Sequence, residues 1–176
     1  TLDGIISYLP VNEGEIAIIG VQNQPGTTLM TIADMSVITA EVKVDEQLGV
    51  IRVTRVVNAV AVGRIINTKT AASQVMGSVV WGIGMALHEE ALYDHSFGRI
   101  MNANIAEYHV PVNADVQDIK VIFVDEPDNI VNPLGIKGVG EIGIVGAAAA
   151  IANAVYHATG KRVRSLPLSK QDLKWG

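Results

Sequence analysis

Apolar residues recur at every second position in residues 37–45 (VITAEVKVD) and, less regularly, in residues 50–62 (VIRVTRVVNAVAV). That is the period of an extended strand. The polar link Asp45-Glu46-Gln47-Leu48-Gly49 between them predicts a hairpin. In the second strand Ile51, Val53 and Arg55 alternate with Arg52, Thr54 and Val56, so one face is only partly apolar and a half-exposed or edge position is expected. Residues 15–20 (EIAIIG) read as an earlier strand, followed by a turn at Asn23-Gln24-Pro25-Gly26. Residues 105–110 and 119–125 read as two further strands, and Asp94 to Gly98 as a turn.

The period changes in residues 71–92. Val75, Val79, Ile83 and Leu87 are spaced by four, with Val80 and Ala86 beside them, which predicts a helix. Its glycines Gly77, Gly82 and Gly84 each cost about 1 kcal/mol of helix propensity relative to Ala. Packing too close for a side chain is the simplest compensation. A second helix, rich in Ala, is predicted over residues 144–159, with Gly160 as its stop and Lys161-Arg162 just beyond. Ser169 is expected to cap a last short turn ending near Trp175. Residues 125–143 form an irregular stretch with Pro127, Pro133 and four glycines, the kind of long loop that often carries function. The expected fold class is α+β, with mixed and antiparallel strands packed against two main helices rich in small residues.

Composition narrows the picture. Hydrophobic residues make up 49% and charged residues 18%, against a charged share of about 25% in ordinary soluble domains. So little polar covering points to burial within a larger assembly. The net charge of -5, with no basic cluster beyond Lys161, Arg162 and Arg164, lacks the footprint of a nucleic-acid binder. The absence of cysteine removes disulfides, thiolate zinc sites, Cys-ligated iron–sulfur clusters and Cys nucleophiles together. The chain opens on Thr and without a secretory pattern, so its start is expected to be missing or removed. Residues 142–156, the longest strongly apolar uncharged run, fall short of the roughly 20 residues of a membrane span.

Candidate chemistry concentrates in two places. Gly138-Val139-Gly140-Glu141-Ile142-Gly143 spells the dinucleotide pattern G-x-G-x-x-G. A nicotinamide site needs a strand immediately before it and an acid about 20 residues on. The expected strand ends a dozen residues upstream, and the next acid after Glu141 is Asp172. The same loop suits an anion cradle of backbone amides with Lys137 as cation. Glu141, flanked by Gly and aliphatic residues, is either a general base of raised pKa in a poorly solvated pocket or simply a favourable charge at a helix start.

The second place is the run Gly63-Arg64-Ile65-Ile66-Asn67-Thr68-Lys69-Thr70, followed by Ser73-Gln74. An Arg and an amide near a helix start suit a phosphate or a heterocycle edge, and equally an ordinary helix cap. His88-Glu89-Glu90 is not a zincin motif, because position 92 is Leu, and reads as a solvated helix end. His95, His109 and His157 are isolated, and Asp125, Glu126 and Asp128 lack the spacing of a calcium loop.

These motifs together resemble the C-terminal part of the molybdenum-binding subunit of the xanthine dehydrogenase/aldehyde oxidase family. The matching segments run in order. They are Ala40 to Asp45, Gly63 to Asn67, Ser73 to Gly77, the Gly-Ile-Gly helix ending in His88-Glu89-Glu90, Glu107 to Pro111, Lys137 to Glu141, Ala152 to Ala154, and Gly160 to Arg164 with Leu166 to Leu168. Residues 1–35 match poorly, so residues 36–176 are expected to form the C-terminal portion of a larger molybdenum-binding domain. The run Gly-Arg-Ile-Ile-Asn-Thr-Lys-Thr-Ala with Ser-Gln is similar to the bacterial aldehyde oxidase branch.

The resemblance implies a molybdenum–pterin cofactor in its cytosine dinucleotide form. Arg64, Ile65, Ile66, Asn67, Thr68, Lys69, Thr70, Gln74, Lys137, Gly138, Val139 and Gly140 would contact it. The metal would be held by the pterin dithiolene and by no protein side chain. Glu141 would be the general base in oxidation of an aldehyde or hydroxylation of an N-heterocycle, with water as oxygen source. Iron–sulfur clusters and FAD would sit on partner subunits. The family's subunit is several times longer, so a chain of this size cannot close the pocket alone, and in isolation it is expected to be inactive. The alternative is a non-catalytic structural or assembly module that retains the scaffold. At two positions the chain departs from the family pattern: Met35 to Thr39 replaces a small-residue run, and Ala61 stands where an Asp is common.

Overall fold

The computed structural model describes residues 5–8, 31–33, 37–127, 129–130, 133–169 and 173. The chain divides into two compact units, residues 1–35 and 36–176. In the first, β1 (Ile5–Tyr8) pairs antiparallel with β2 (Thr31–Ala33), Ile6 opposite Ile32. The strand expected at residues 15–20 and the turn after it lie outside the described residues.

In the second unit β3 (Val37–Asp45) and β4 (Val50–Val60) form the expected hairpin. Asp45 closes the turn by accepting the Leu48 amide at 2.9 Å, and Gly49 takes φ +65°, a conformation natural to glycine. β4 is not an edge strand. It lies between β3 and β7 (Ile119–Phe123), antiparallel to the first and parallel to the second. Its irregular alternation comes from a β-bulge. Glu41 faces Arg55 but the next residue, Val42, faces Val53, so Thr54 is the extra residue. Its hydroxyl donates to the Glu41 carbonyl at 3.2 Å. Below the bulge Ile51 and Val53 face inward, and above it Val56, Asn58 and Val60 do, each opposite an inward residue of β3 where the two pair. Arg55 is thereby sent to the outer face, where it pairs with Glu41 and Asp118.

Helix α1 (Thr68–Leu87) starts three residues earlier than its apolar spacing predicts. Asn67 is the N-cap, its side-chain oxygen accepting the Lys69 and Thr70 amides at 3.1 and 3.2 Å. The helix ends at Leu87, short of the expected Leu92, where the His88 and Glu89 amides both donate to the Gly84 carbonyl. A short hairpin follows, β5 (Tyr93–Asp94) with β6 (Arg99–Ile100), around the predicted turn. The strand expected at residues 105–110 is instead a coil of turns. Asn104 accepts the Ala106 amide with its side chain and the Glu107 and Tyr108 amides with its carbonyl, which bends the chain before it can extend.

Helix α2 (Ala147–Thr159) is preceded by a 3₁₀ turn at Ile142–Ile144 and stopped by Gly160 at φ +72°, as expected. Both helices cover one face of the sheet. The main core joins Val53 and Val56 of β4 to Val79, Ile83 and Ala86 of α1, Ile151 and Val155 of α2, and Leu168 and Leu173 of the tail. Gly82 lets the helices meet: a Cβ there would overlap the side chain of Ala147. A second, smaller core of Val60, Val62 and Val75 receives Ile65, Val121, Phe123, Val139 and Ile142. Residues 68–87 and 142–159 are each long and apolar enough to cross a membrane, contrary to the length expected for the second. Val75, Val79, Ile83 and Ala86 of the first and Ile151 and Val155 of the second, however, are buried in these cores.

Candidate functional site

The parallel pairing of β4 with β7 decides where the two candidate loops go. Val60 pairs with Phe123, so both strands leave the sheet at the same end, and the loops after them are neighbours although far apart in sequence. In parallel arrangements this end is where ligands tend to bind. The loops are then joined by backbone. Arg64 N donates to Gly135 O at 2.7 Å and Lys137 N to Val62 O at 3.2 Å, around a bridge between Gly63 and Ile136. Gly63 sits at φ +68°, and a Cβ on it would lie 2.5 Å from the Gly135 oxygen. Only glycine fits this junction without strain.

An open cleft of about 350 Å³ results, lined by Arg64, Ile65, Ile66, Asn67, Thr70, Gln74, Lys137 and Val139 among others. Eight of the residues singled out in sequence therefore meet in one place. Their roles differ. Arg64 and Gln74 are exposed, and Lys137 is half-buried. Asn67 spends its side-chain oxygen on the helix cap, and Thr70 donates its hydroxyl to the Asn67 carbonyl at 3.3 Å. Val139 packs into the smaller core and so anchors its loop. Thr68 and Lys69 lie in the exposed first turn of α1 and do not line the cleft. Gly138 and Gly140 face open space: a Cβ on either would meet nothing within 4 Å. Their lack of side chains leaves the backbone approachable from outside.

Glu141 follows directly, at the flank of the 3₁₀ turn. Its side chain is exposed and makes no hydrogen bond or ion pair among the described residues. The apolar pocket expected around it is not supplied by these residues. No strand immediately precedes Gly138, since β7 ends at Phe123, so the context of a dinucleotide fingerprint is absent among the described residues.

The donor set of the cleft suits a pterin bearing phosphate. It offers a guanidinium, an ammonium, an amide, a hydroxyl and unobstructed backbone, without a carboxylate among its lining residues. Among the described residues no group of three His, Cys, Asp or Glu side chains could hold a metal ion.

Three residues escaped the sequence reading. Asn58, fully buried on β4, donates to the Gly143 carbonyl at 3.1 Å. Ser78, buried on α1, places its hydroxyl 2.9 Å from the Gln74 carbonyl and 3.2 Å from that of Gly140. The available signal was a polar residue in an apolar register, Asn within VVNAV and Ser beside Val75 and Val79. Tyr108 is the third. Its hydroxyl donates to Glu89 at 3.0 Å, and that hydrogen bond raises the phenol above its ordinary pKa. Glu89 is accordingly half-buried and engaged, and not part of a solvated helix end. His95, His109 and His157, with Asp125 and Glu126, are exposed; Asp128 lies outside the described residues.

A family model described as molybdopterin cofactor-binding domain matches residues 19–117. The aldehyde oxidoreductase molybdenum-binding subunit PaoC of Escherichia coli is 49% identical over 133 residues, 76% of this chain and 18% of that protein. The gamma subunit of the 6-hydroxypseudooxynicotine dehydrogenase complex of Paenarthrobacter nicotinovorans is 33% identical, over 76% of this chain and 17% of its own length. The crystal structure of the aldehyde oxidoreductase from Desulfovibrio desulfuricans superposes with a TM-score of 0.69 at 30% identity, covering 76% of this chain and 14% of that one. The chain thus spans less than a fifth of these relatives, and its α+β architecture is that of their molybdenum-binding domain. A cleft of cationic and amide donors, one wall of which (residues 62–74) falls within the matched residues 19–117, belongs with these matches: the chain is a member of the xanthine dehydrogenase/aldehyde oxidase family of molybdenum-binding subunits, within their molybdopterin cofactor-binding domain.

Proposed function

We propose that this chain forms one wall of the cofactor and substrate pocket of a molybdenum hydroxylase that oxidises aldehydes or N-heterocycles. The observation that carries this reading is the convergence of the Arg64–Gln74 and Lys137–Val139 loops on one cleft, with Glu141 two residues beyond Val139. Arg64 and Lys137 would neutralise the phosphates of a molybdopterin cytosine dinucleotide. Gln74 and Thr70 would hydrogen-bond its polar edges, and the backbone of residues 137–140 would lie against it. When bound, that group supplies the redox centre of the reaction. Glu141 is the general base: its carboxylate oxygen takes the proton from the water-derived nucleophile. Iron–sulfur and FAD subunits would carry the electrons away.

Exposure of Glu141 in this chain has a consequence for the reading. A base of this kind works best out of bulk water, so the remainder of the molybdenum subunit must cover it. That same exposure favours the second reading, a scaffold without chemistry. Glu141→Gln in the complete enzyme separates the two. Turnover is expected to fall by about 10²–10⁴-fold with molybdenum and pterin content unchanged. Wild-type turnover in that variant leaves only the scaffold reading.

A further inference from the structure

Because the Glu141 carboxylate has no partner among the described residues, all that this chain fixes of it is the backbone from which it projects. That backbone is gripped on both sides. One residue before it, the Gly140 carbonyl lies 3.2 Å from the Ser78 hydroxyl, which shares its single proton with the nearer Gln74 carbonyl at 2.9 Å. Two residues after it, the Gly143 carbonyl accepts Asn58 Nδ2 at 3.1 Å. Between them Ile144 N donates to Glu141 O at 3.1 Å and closes the turn. Gly143 is seated so tightly that a Cβ would lie 2.9 Å from the Ser78 Cβ and 3.1 Å from the Val75 oxygen.

The placement of Asn58 is the unusual part. It is fully buried on the inner face of β4, one register step from Val56 and Val60 and directly opposite Ile38. Its Oδ1 has no hydrogen-bond partner among the described residues. A buried amide with an unsatisfied acceptor is destabilising where an aliphatic side chain would serve the core. What only the amide supplies at this position is the grip on Gly143. We infer that Asn58 and Ser78 are positioning residues for Glu141, one from the sheet and one from α1, holding the turn that aims its carboxylate. The inference rests on Glu141 being the base, but the tether itself does not.

Asn58→Leu, of similar volume, and Ser78→Ala test this in the complete holoenzyme. The first readout is independent of activity: amide hydrogen exchange of Ile144. Each variant is expected to speed it by about tenfold or more, with exchange in the cores of β4 and α1 unchanged. The second is kinetic. kcat falls by about 10–100-fold at unchanged cofactor load, as a small misplacement of a reacting group costs. In a Glu141→Gln background neither variant lowers kcat further, since both act through that carboxylate. Wild-type exchange at Ile144 in both variants overturns the tether. An additive loss of kcat in the Glu141→Gln background overturns the positioning role. Full turnover in Glu141→Gln alone sinks the base assignment, while faster exchange at Ile144 still upholds the tether. Should Asn58→Leu fail to accumulate, Ser78→Ala, which removes a single oxygen, gives the same readouts.

Discussion

Single residues in this chain do one of two jobs, and their hydrogen bonds tell which. Asn67, expected to contact a cofactor, is first a helix cap, so its loss would harm α1 before it harmed binding. Tyr108 shows the other direction, since its segment carried the family resemblance but no role was read for the residue itself. Its phenol donates to Glu89, and deprotonation would set two negative charges against each other. The folded-state pKa therefore lies above the unfolded value of about 10. A raised pKa contributes stability that is complete below the unfolded value and is lost as pH rises through the folded one. Denaturant midpoints measured against pH are expected to fall on the alkaline side for the wild type. Tyr108→Phe should lack that fall.

At the scale of elements, the glycines of α1 separate by what surrounds them. Gly82 is pressed against Ala147 of α2, whereas Gly77 faces open space. Replacing Gly82 by Ala gains about 1 kcal/mol of helix propensity but overfills the contact, which costs about 1–3 kcal/mol. The net is destabilising. Gly77→Ala meets no obstacle and keeps the gain of about 1 kcal/mol. Thermal midpoints of the two variants should thus move in opposite directions. Local signals served well here: alternation marked the β3–β4 hairpin, spacing by four marked α1, and Gly160 marked the end of α2. What sequence periodicity missed is what depends on side chains answering across a gap. Helix α1 ends early where Glu89 turns back toward Gly84, and the 105–110 segment coils because Asn104 captures three amides. In the candidate site the residue types were legible, but their meeting was not. It follows from β4 and β7 being parallel neighbours, a pairing between segments distant in the chain.

Across the whole molecule, the low share of charge has a visible counterpart. Trp81 is 49% exposed, Phe97 78%, Val145 82% and Ile105 89%. Such an amount of uncovered apolar surface is uncommon on a self-sufficient domain, and it agrees with a chain spanning less than a fifth of its relatives. Trp81 offers a reporter. With Trp175 replaced by Phe, its fluorescence in the isolated chain should resemble a partly hydrated indole and shift to shorter wavelength in the complete protein. Identical emission in both would mean that this face of α1 stays wet.

The single additional residue in β4 gives that strand two parities. Its lower half is phased to shed water beneath the helices, and its upper half is phased half a pleat later, which turns an amide toward the Gly143 turn. Thr54 thus works as a gear tooth: the strand that seals the core is also the one that tethers the Gly143 turn, and neither task could be retimed without the other.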